Sequence, residues 1–268
     1  MPISPVIAKY NARVEAINSL LCVGLDSAPD RLPARFQGAE APQFAFNRWI
    51  IEQTHPYVSA YKPNIAFYEA AGDAGLRALR LTLDYLRAEH PAILTICDAK
   101  RADIGSTNAG YVAAIFDWLG FDALTLHPYL GQEALGPFLS RADKGCIILC
   151  RTSNPGAGEL QDLDVGGKPL WQAVAERVRD EWNILGNCML VVGATYPDEL
   201  GRVRALVGDM PLLVPGLGAQ GGDVEATVRA GLDSQGRGLI LNSARGIIFA
   251  DDPAQAAREL RDAINRWR

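Results

Sequence analysis

Short runs of aliphatic residues recur eight times along the chain, at positions 21–26, 58–64, 92–100, 123–128, 146–151, 188–194, 212–217 and 238–244. Most are continuously apolar rather than alternating, the pattern of parallel strands covered on both faces. The segments between them carry a helical spacing. Leu76, Leu79, Leu83 and Leu86 fall three or four residues apart, as do Trp171, Val174, Val178, Trp182 and Leu185. A last helix is predicted to open on Asp252-Pro253, an N-cap followed by proline in the first turn. It presents Ala257, Leu260, Ile264 and Trp267 as one stripe.

Eight strand–helix units joined by right-handed crossovers close into a barrel. The expectation is an α/β chain folded as a single (β/α)8 TIM barrel, one catalytic domain over residues 1–268. A doubly wound open sheet would place a glycine-rich dinucleotide turn after the first strand. The sequence there, Val23-Gly24-Leu25-Asp26-Ser27-Ala28-Pro29, has no such turn.

At 49% hydrophobic and 21% charged residues, a chain of 268 can build its core without covalent staples. The net charge of −5 argues against a general nucleic-acid surface but allows a local pocket for a small anion. Cys22, Cys97, Cys146, Cys150 and Cys188 sit mostly inside apolar runs, which reads as core thiols in a reducing compartment. Cys146-x3-Cys150 has no second ligand pair at zinc-like spacing, and no metal site is expected. No run is long and apolar enough for a bilayer, and residues 1–21 lack a signal-type apolar stretch. A cytoplasmic protein is the expectation.

Barrel enzymes carry their chemistry at the C-terminal ends of the strands. Those positions here read Asp26, Lys62, Asp98, Lys100, His127, Arg151, Ser153 and, later, Gln220 and Arg245. An isolated Asp-x-Lys at a strand end is commonly a surface salt bridge. So many polar groups converging on one rim point instead to an active site, because unpaired burial of charge is costly. After the seventh strand comes Pro215-Gly216-Leu217-Gly218-Ala219-Gln220-Gly221-Gly222, and after the eighth Asn242-Ser243-Ala244-Arg245-Gly246. Glycines admit an anion to backbone N–H groups and an arginine grips it, so this corner is a candidate phosphate site. The Gly/Pro-rich stretch 152–169 is the longest loop and a candidate lid. His127 is better explained as a satisfied structural histidine, Arg151 is given no chemical step, and His55 and His90 read as surface residues.

Tyr61-Lys62-Pro63-Asn64, Asp98-Ala99-Lys100-Arg101-Ala102-Asp103-Ile104, the segment 215–222 and the Arg245 segment together resemble the orotidine 5′-phosphate decarboxylase family. The closest likeness is to a bacterial subgroup whose signature reads Asp-Ala-Lys-Arg-x-Asp-Ile-Gly-Ser-Thr. Ala102 stands where many members have glycine. The resemblance implies decarboxylation of orotidine 5′-phosphate to UMP without a cofactor, the last step of de novo pyrimidine synthesis. It implies an alternating array of Lys62, Asp98, Lys100 and Asp103, with Asp103 supplied across a homodimer interface and Lys100 protonating C6. It further implies that Asp26 and Lys62 contact the ribose, with Asp103 and Thr107 reaching the same sugar from the other subunit. Ser153 would meet the pyrimidine edge, and Gln220 and Arg245 the phosphate.

Three alternatives accompany this reading. A magnesium-dependent sugar-phosphate decarboxylase or aldolase shares Asp-x-Lys-x-x-Asp, but uses an acidic residue where Lys62 stands. A Schiff-base aldolase needs an unprotonated lysine, which flanking carboxylates disfavour. A catalytically silent phosphate-binding barrel would not need all four charges of the array.

Overall fold

In a computed structural model, which describes residues 3–217 and 223–268, eight parallel strands close in chain order into a barrel. They are β1 (Leu21–Val23), β2 (Ala60–Tyr61), β3 (Leu94–Arg101), β4 (Ala123–Leu126), β5 (Gly145–Arg151), β6 (Cys188–Val192), β7 (Leu212–Pro215) and β8 (Leu239–Ser243). All eight fall inside or across the predicted apolar runs. Every residue of β1, β2, β4, β6 and β8 is buried, which is why these runs do not alternate. The β1–β8 pairing, with Leu21 opposite Leu241, closes the ring.

Pairing is irregular in β5, where it skips from Leu149–Val191 to Arg151–Val192, and in β2 and β3, whose departures shape the rim. Strand β2 stops after two residues because Pro63 has no N–H to give the ladder. Pairing resumes as an isolated bridge between Asn64 and Asp98, with the Asp98 N–H donating to the Pro63 carbonyl at 3.0 Å. In β3, Cys97 pairs with Leu124 and Arg101 with Leu126, so a bulge separates them.

The helix Pro5–Ile17, which the apolar spacing did not reveal, buries Val6, Ile7, Tyr10 and Val14. The Tyr10 hydroxyl donates to the Leu239 carbonyl at the start of β8, so this helix plugs the N-terminal end of the barrel. The opposite end is left for ligand. The helix predicted around Leu79, Leu83 and Leu86 spans Gly72–Glu89 and buries those three leucines. The segment after β5 runs as α-helix over Leu170–Arg177 and widens to a π-helix over Val178–Trp182. Leu185 therefore falls beyond its end and is exposed, contrary to the predicted stripe. The last helix, Pro253–Asn265, is capped as predicted, the Asp252 carboxylate accepting the Gln255 N–H at 2.9 Å.

All five cysteines are buried and free. His55 and His90 are not simple surface residues: their rings stack 4.3 Å apart, half-buried, and the Arg13 guanidinium donates to the His55 carbonyl. Among the described residues, no helix is long and apolar enough to cross a membrane.

Candidate active site

A cavity of about 730 Å³ opens at the C-terminal rim, a volume suited to a nucleotide-sized ligand. Asp26, Lys62, Asp98, Lys100, Ser153 and Arg245 all line it. They come from loops or strand ends of β1, β2, β3, β5 and β8. These six are brought together as the sequence predicted.

The Asp98 carboxylate is the hub. Lys62 Nζ donates to Oδ2 at 2.7 Å and Lys100 Nζ to Oδ1 at 2.6 Å. Exposure rises along the row: the side chain of Lys62 is 4% exposed, that of Asp98 12% and that of Lys100 49%. Lys62 thus closes the floor while the Lys100 ammonium stands in the open cavity. Burial alone would push the Asp98 carboxyl up, but Lys62 and Lys100 outweigh it and hold the group far below the usual carboxylate range. Burial likewise disfavours charge on Lys62, and Asp98 and Asp26 reverse that, raising its pKa above the ordinary lysine value. Asp26, held by the Asn64 N–H at 3.3 Å, is raised by burial against the pull of Lys62.

Close packing of two strand ends shapes the walls. A Cβ on Gly24 would lie 2.6 Å from that of Ala244, so only glycine lets the β1 end approach the residue before Arg245. A Cβ on Gly193 would meet the Ser153 Cβ at 2.8 Å, which places the loop after β5 directly against the end of β6. That loop is folded, not a loose excursion. The Thr152 N–H donates to Gln161 Oε1 at 2.9 Å and Gln161 Nε2 to the Thr152 hydroxyl at 2.8 Å.

Two other predicted positions lie elsewhere. Asp103 and Thr107 are exposed and stand outside the described wall of their own chain's cavity. Asn108 fixes the Asp103 backbone by accepting its N–H at 2.7 Å and by donating to the Ala134 carbonyl at 2.5 Å. Gln220 lies outside the described residues. Of the two rim residues without a role, His127 Nδ1 accepts the Tyr129 N–H at 3.3 Å. Arg151, 4% exposed, turns away from the cavity toward Asp162, Glu199 and the Tyr196 ring.

Sequence reading missed Thr125, which lines the cavity from β4. Its hydroxyl lies 3.1 Å from Asp98 Oδ1. The available signal was a lone hydroxyl in the apolar run Ala123–Leu126. Arg31, Asn154 and Asn242 also line the cavity without having been singled out.

A closed parallel barrel with a paired lysine–aspartate row at its C-terminal rim and an arginine in the β8 loop defines a (β/α)8-barrel enzyme. Residues 19–260 match the model of the Orotidine 5'-phosphate decarboxylase / HUMPS family, and the chain belongs to that family. It is 51% identical over 259 residues to the orotidine 5'-phosphate decarboxylase of Azoarcus sp. (strain BH72), covering 94% of this chain and 95% of the relative. It is 50% identical over 257 residues to that of Cellvibrio japonicus (strain Ueda107), covering 92% and 93%. Among solved structures, the Leishmania donovani OMP decarboxylase superposes with a TM-score of 0.88 at 41% identity, covering 99% of this chain and 98% of that one.

Proposed function

We propose that this chain decarboxylates orotidine 5′-phosphate to UMP and CO2 without a cofactor, closing de novo pyrimidine synthesis in the cytoplasm. The observation that carries the reading is the row Lys62–Asp98–Lys100, with one ammonium buried beneath the carboxylate and the other half-exposed in the cavity. In the reaction the C6–carboxylate bond breaks, CO2 departs and the electron pair stays on C6. The Lys100 ammonium stabilises that developing charge and then gives C6 its proton, recovering one from solvent afterwards. Asp98 holds Lys100 in place. Asp26 and Lys62 bind the ribose, Ser153 the pyrimidine edge, and Gln220 and Arg245 the phosphate. Phosphate binding far from the bond that breaks supplies energy to organise the reacting end.

The working unit is a homodimer. Asp103 and Thr107 face solvent in the single chain, as do the large apolar side chains of Ile104, 61% exposed, and Tyr129, 82% exposed. A second copy seated there covers these apolar groups and brings Asp103 and Thr107 to its own cavity. The magnesium-dependent reading is disfavoured because the buried ammonium of Lys62 stands where that chemistry needs an acid. The same pairing holds Lys62 charged, which disfavours a Schiff base on it.

Purified protein treated with a chelator is predicted to consume orotidine 5′-phosphate, followed by its absorbance, and to yield UMP. Loss of turnover on chelation, or tight nucleotide binding without UMP, would overturn the proposal.

A further inference from the structure

Thr125 occupies a position whose hydrogen bonding is fully accounted for. Between the pairs Cys97–Leu124 and Arg101–Leu126, three residues of β3 (Asp98, Ala99 and Lys100) stand opposite Thr125 alone. Such a bulge leaves backbone N–H groups without ladder partners. The Thr125 hydroxyl supplies them, accepting the N–H of Ala99 and that of Lys100 at 3.0 Å each. Those two bonds use both lone pairs of the oxygen and leave one proton to give. Two acceptors are within reach, Asp98 Oδ1 at 3.1 Å and the Cys97 carbonyl at 3.4 Å. The carboxylate is both nearer and charged, so the proton goes there. The side chain is buried, with Thr125 1% exposed.

The bulge also turns Lys100 into the left-handed region, at φ 48°, which a long side chain adopts only when its surroundings impose it. With a regular ladder, Asp98 and Lys100 would follow ordinary strand directions. Here one hydroxyl pins both the Lys100 backbone and the carboxylate that receives its ammonium.

We propose that Thr125 is a positioning residue that sets the Asp98–Lys100 pair for proton delivery. The proposal rests on the decarboxylase reading of the same site. Thr125 touches no reacting atom; it acts by fixing the two residues that do. Its loss therefore lowers the chemical step and leaves nucleotide affinity, which comes from the ribose and phosphate contacts, largely intact.

The experiment compares wild-type protein with Thr125→Val, Thr125→Ser and Thr125→Cys for kcat and KM on orotidine 5′-phosphate, and for UMP affinity by calorimetry. Valine, which keeps the shape and removes the hydroxyl, is expected to lower kcat about 30- to 100-fold with UMP affinity held within about threefold. Serine restores kcat to within about fivefold of wild type. If valine prevents folding, serine and cysteine carry the comparison, with serine active and cysteine, a poor acceptor, slow. Equal kcat in wild type and the valine or cysteine variant overturns the proposal. So does a parallel loss of kcat and UMP affinity, or a serine variant as slow as valine. Wild-type protein without turnover sinks the decarboxylase reading as well, whereas turnover unaffected by the hydroxyl sinks this one alone.

Discussion

Replacing Asp98 by asparagine preserves the side-chain volume and removes the charge at the hub of the site. Its two ion pairs are of similar length, 2.7 Å to Lys62 and 2.6 Å to Lys100, but they are not equivalent. Unit charges 2.7 Å apart attract by roughly 6 kcal/mol at an effective dielectric near 20. The Lys100 pair is open to solvent, which reduces its net worth to about 1 kcal/mol or less. The Lys62 pair is enclosed, and removing one partner of an enclosed pair costs about 3–5 kcal/mol because the other charge is stranded. Asp26 still faces Lys62, so the lower end applies, about 3 kcal/mol, or roughly 6–12 °C in melting temperature.

The pH dependence has a definite sign. In the wild type the Asp98 carboxyl lies below its unfolded value, so its contribution is present above about pH 4 and is lost on acidification. In Asp98→Asn, burial of Lys62 loses its largest opposing charge and is countered mainly by Asp26, so its pKa is expected to fall below that of an unfolded lysine. The unfolded chain then binds more protons than the folded one, so the variant gains stability as pH climbs from 7 toward 10. The wild type, with Lys62 raised above the ordinary value, shows no such gain from this group. Urea unfolding at several pH values measures both effects. A loss under about 1 kcal/mol at pH 7, or identical pH slopes in the two proteins, would refute the reasoning.

Two further outcomes are expected. Arg245→Ala should lower kcat/KM for orotidine 5′-phosphate about 10- to 100-fold, and leave the phosphate-free nucleoside nearly unaffected; equal losses on both substrates would remove Arg245 from the phosphate site. Ala102 is buried with φ 153°, on the side of backbone space that favours glycine. Relief of about 1–2 kcal/mol of strain exceeds the roughly 0.4–1 kcal/mol entropic cost of glycine, so Ala102→Gly should raise the melting temperature, and a lower one would contradict this.

The barrel was legible because strands buried on both faces leave unbroken apolar runs, and all eight were placed by that signal. The helix Pro5–Ile17 escaped it because its buried positions are interleaved with Lys9, Asn11 and Arg13 in only 13 residues. Leu185 was misassigned because a wider π turn over Val178–Trp182 changes which residues face inward, and nothing in a three-four spacing announces that turn. At the site, charged residues at strand ends stood out because burial makes them expensive. Thr125 did not, since a threonine in a strand is ordinary and only the β3 bulge gives its hydroxyl three roles. Asp103 was readable as a member of the array through family resemblance. Its exposed place in the single chain shows why local geometry alone would have discarded it.

A proposed site that takes Lys100 from one chain and Asp103 from its neighbour is tested most directly by co-expression of two silent variants. Lys100→Ala and Asp103→Ala should each nearly abolish turnover of orotidine 5′-phosphate while still binding UMP. In the mixed dimer one site carries both substitutions and the other carries neither. Random pairing therefore returns about a quarter of wild-type activity per site, from a twofold assembly that shares residues across its interface. If both residues serve the same chain's cavity, every site in every dimer keeps one lesion. Mixtures as inactive as the separate variants, or substantial turnover by either variant alone, would contradict the account.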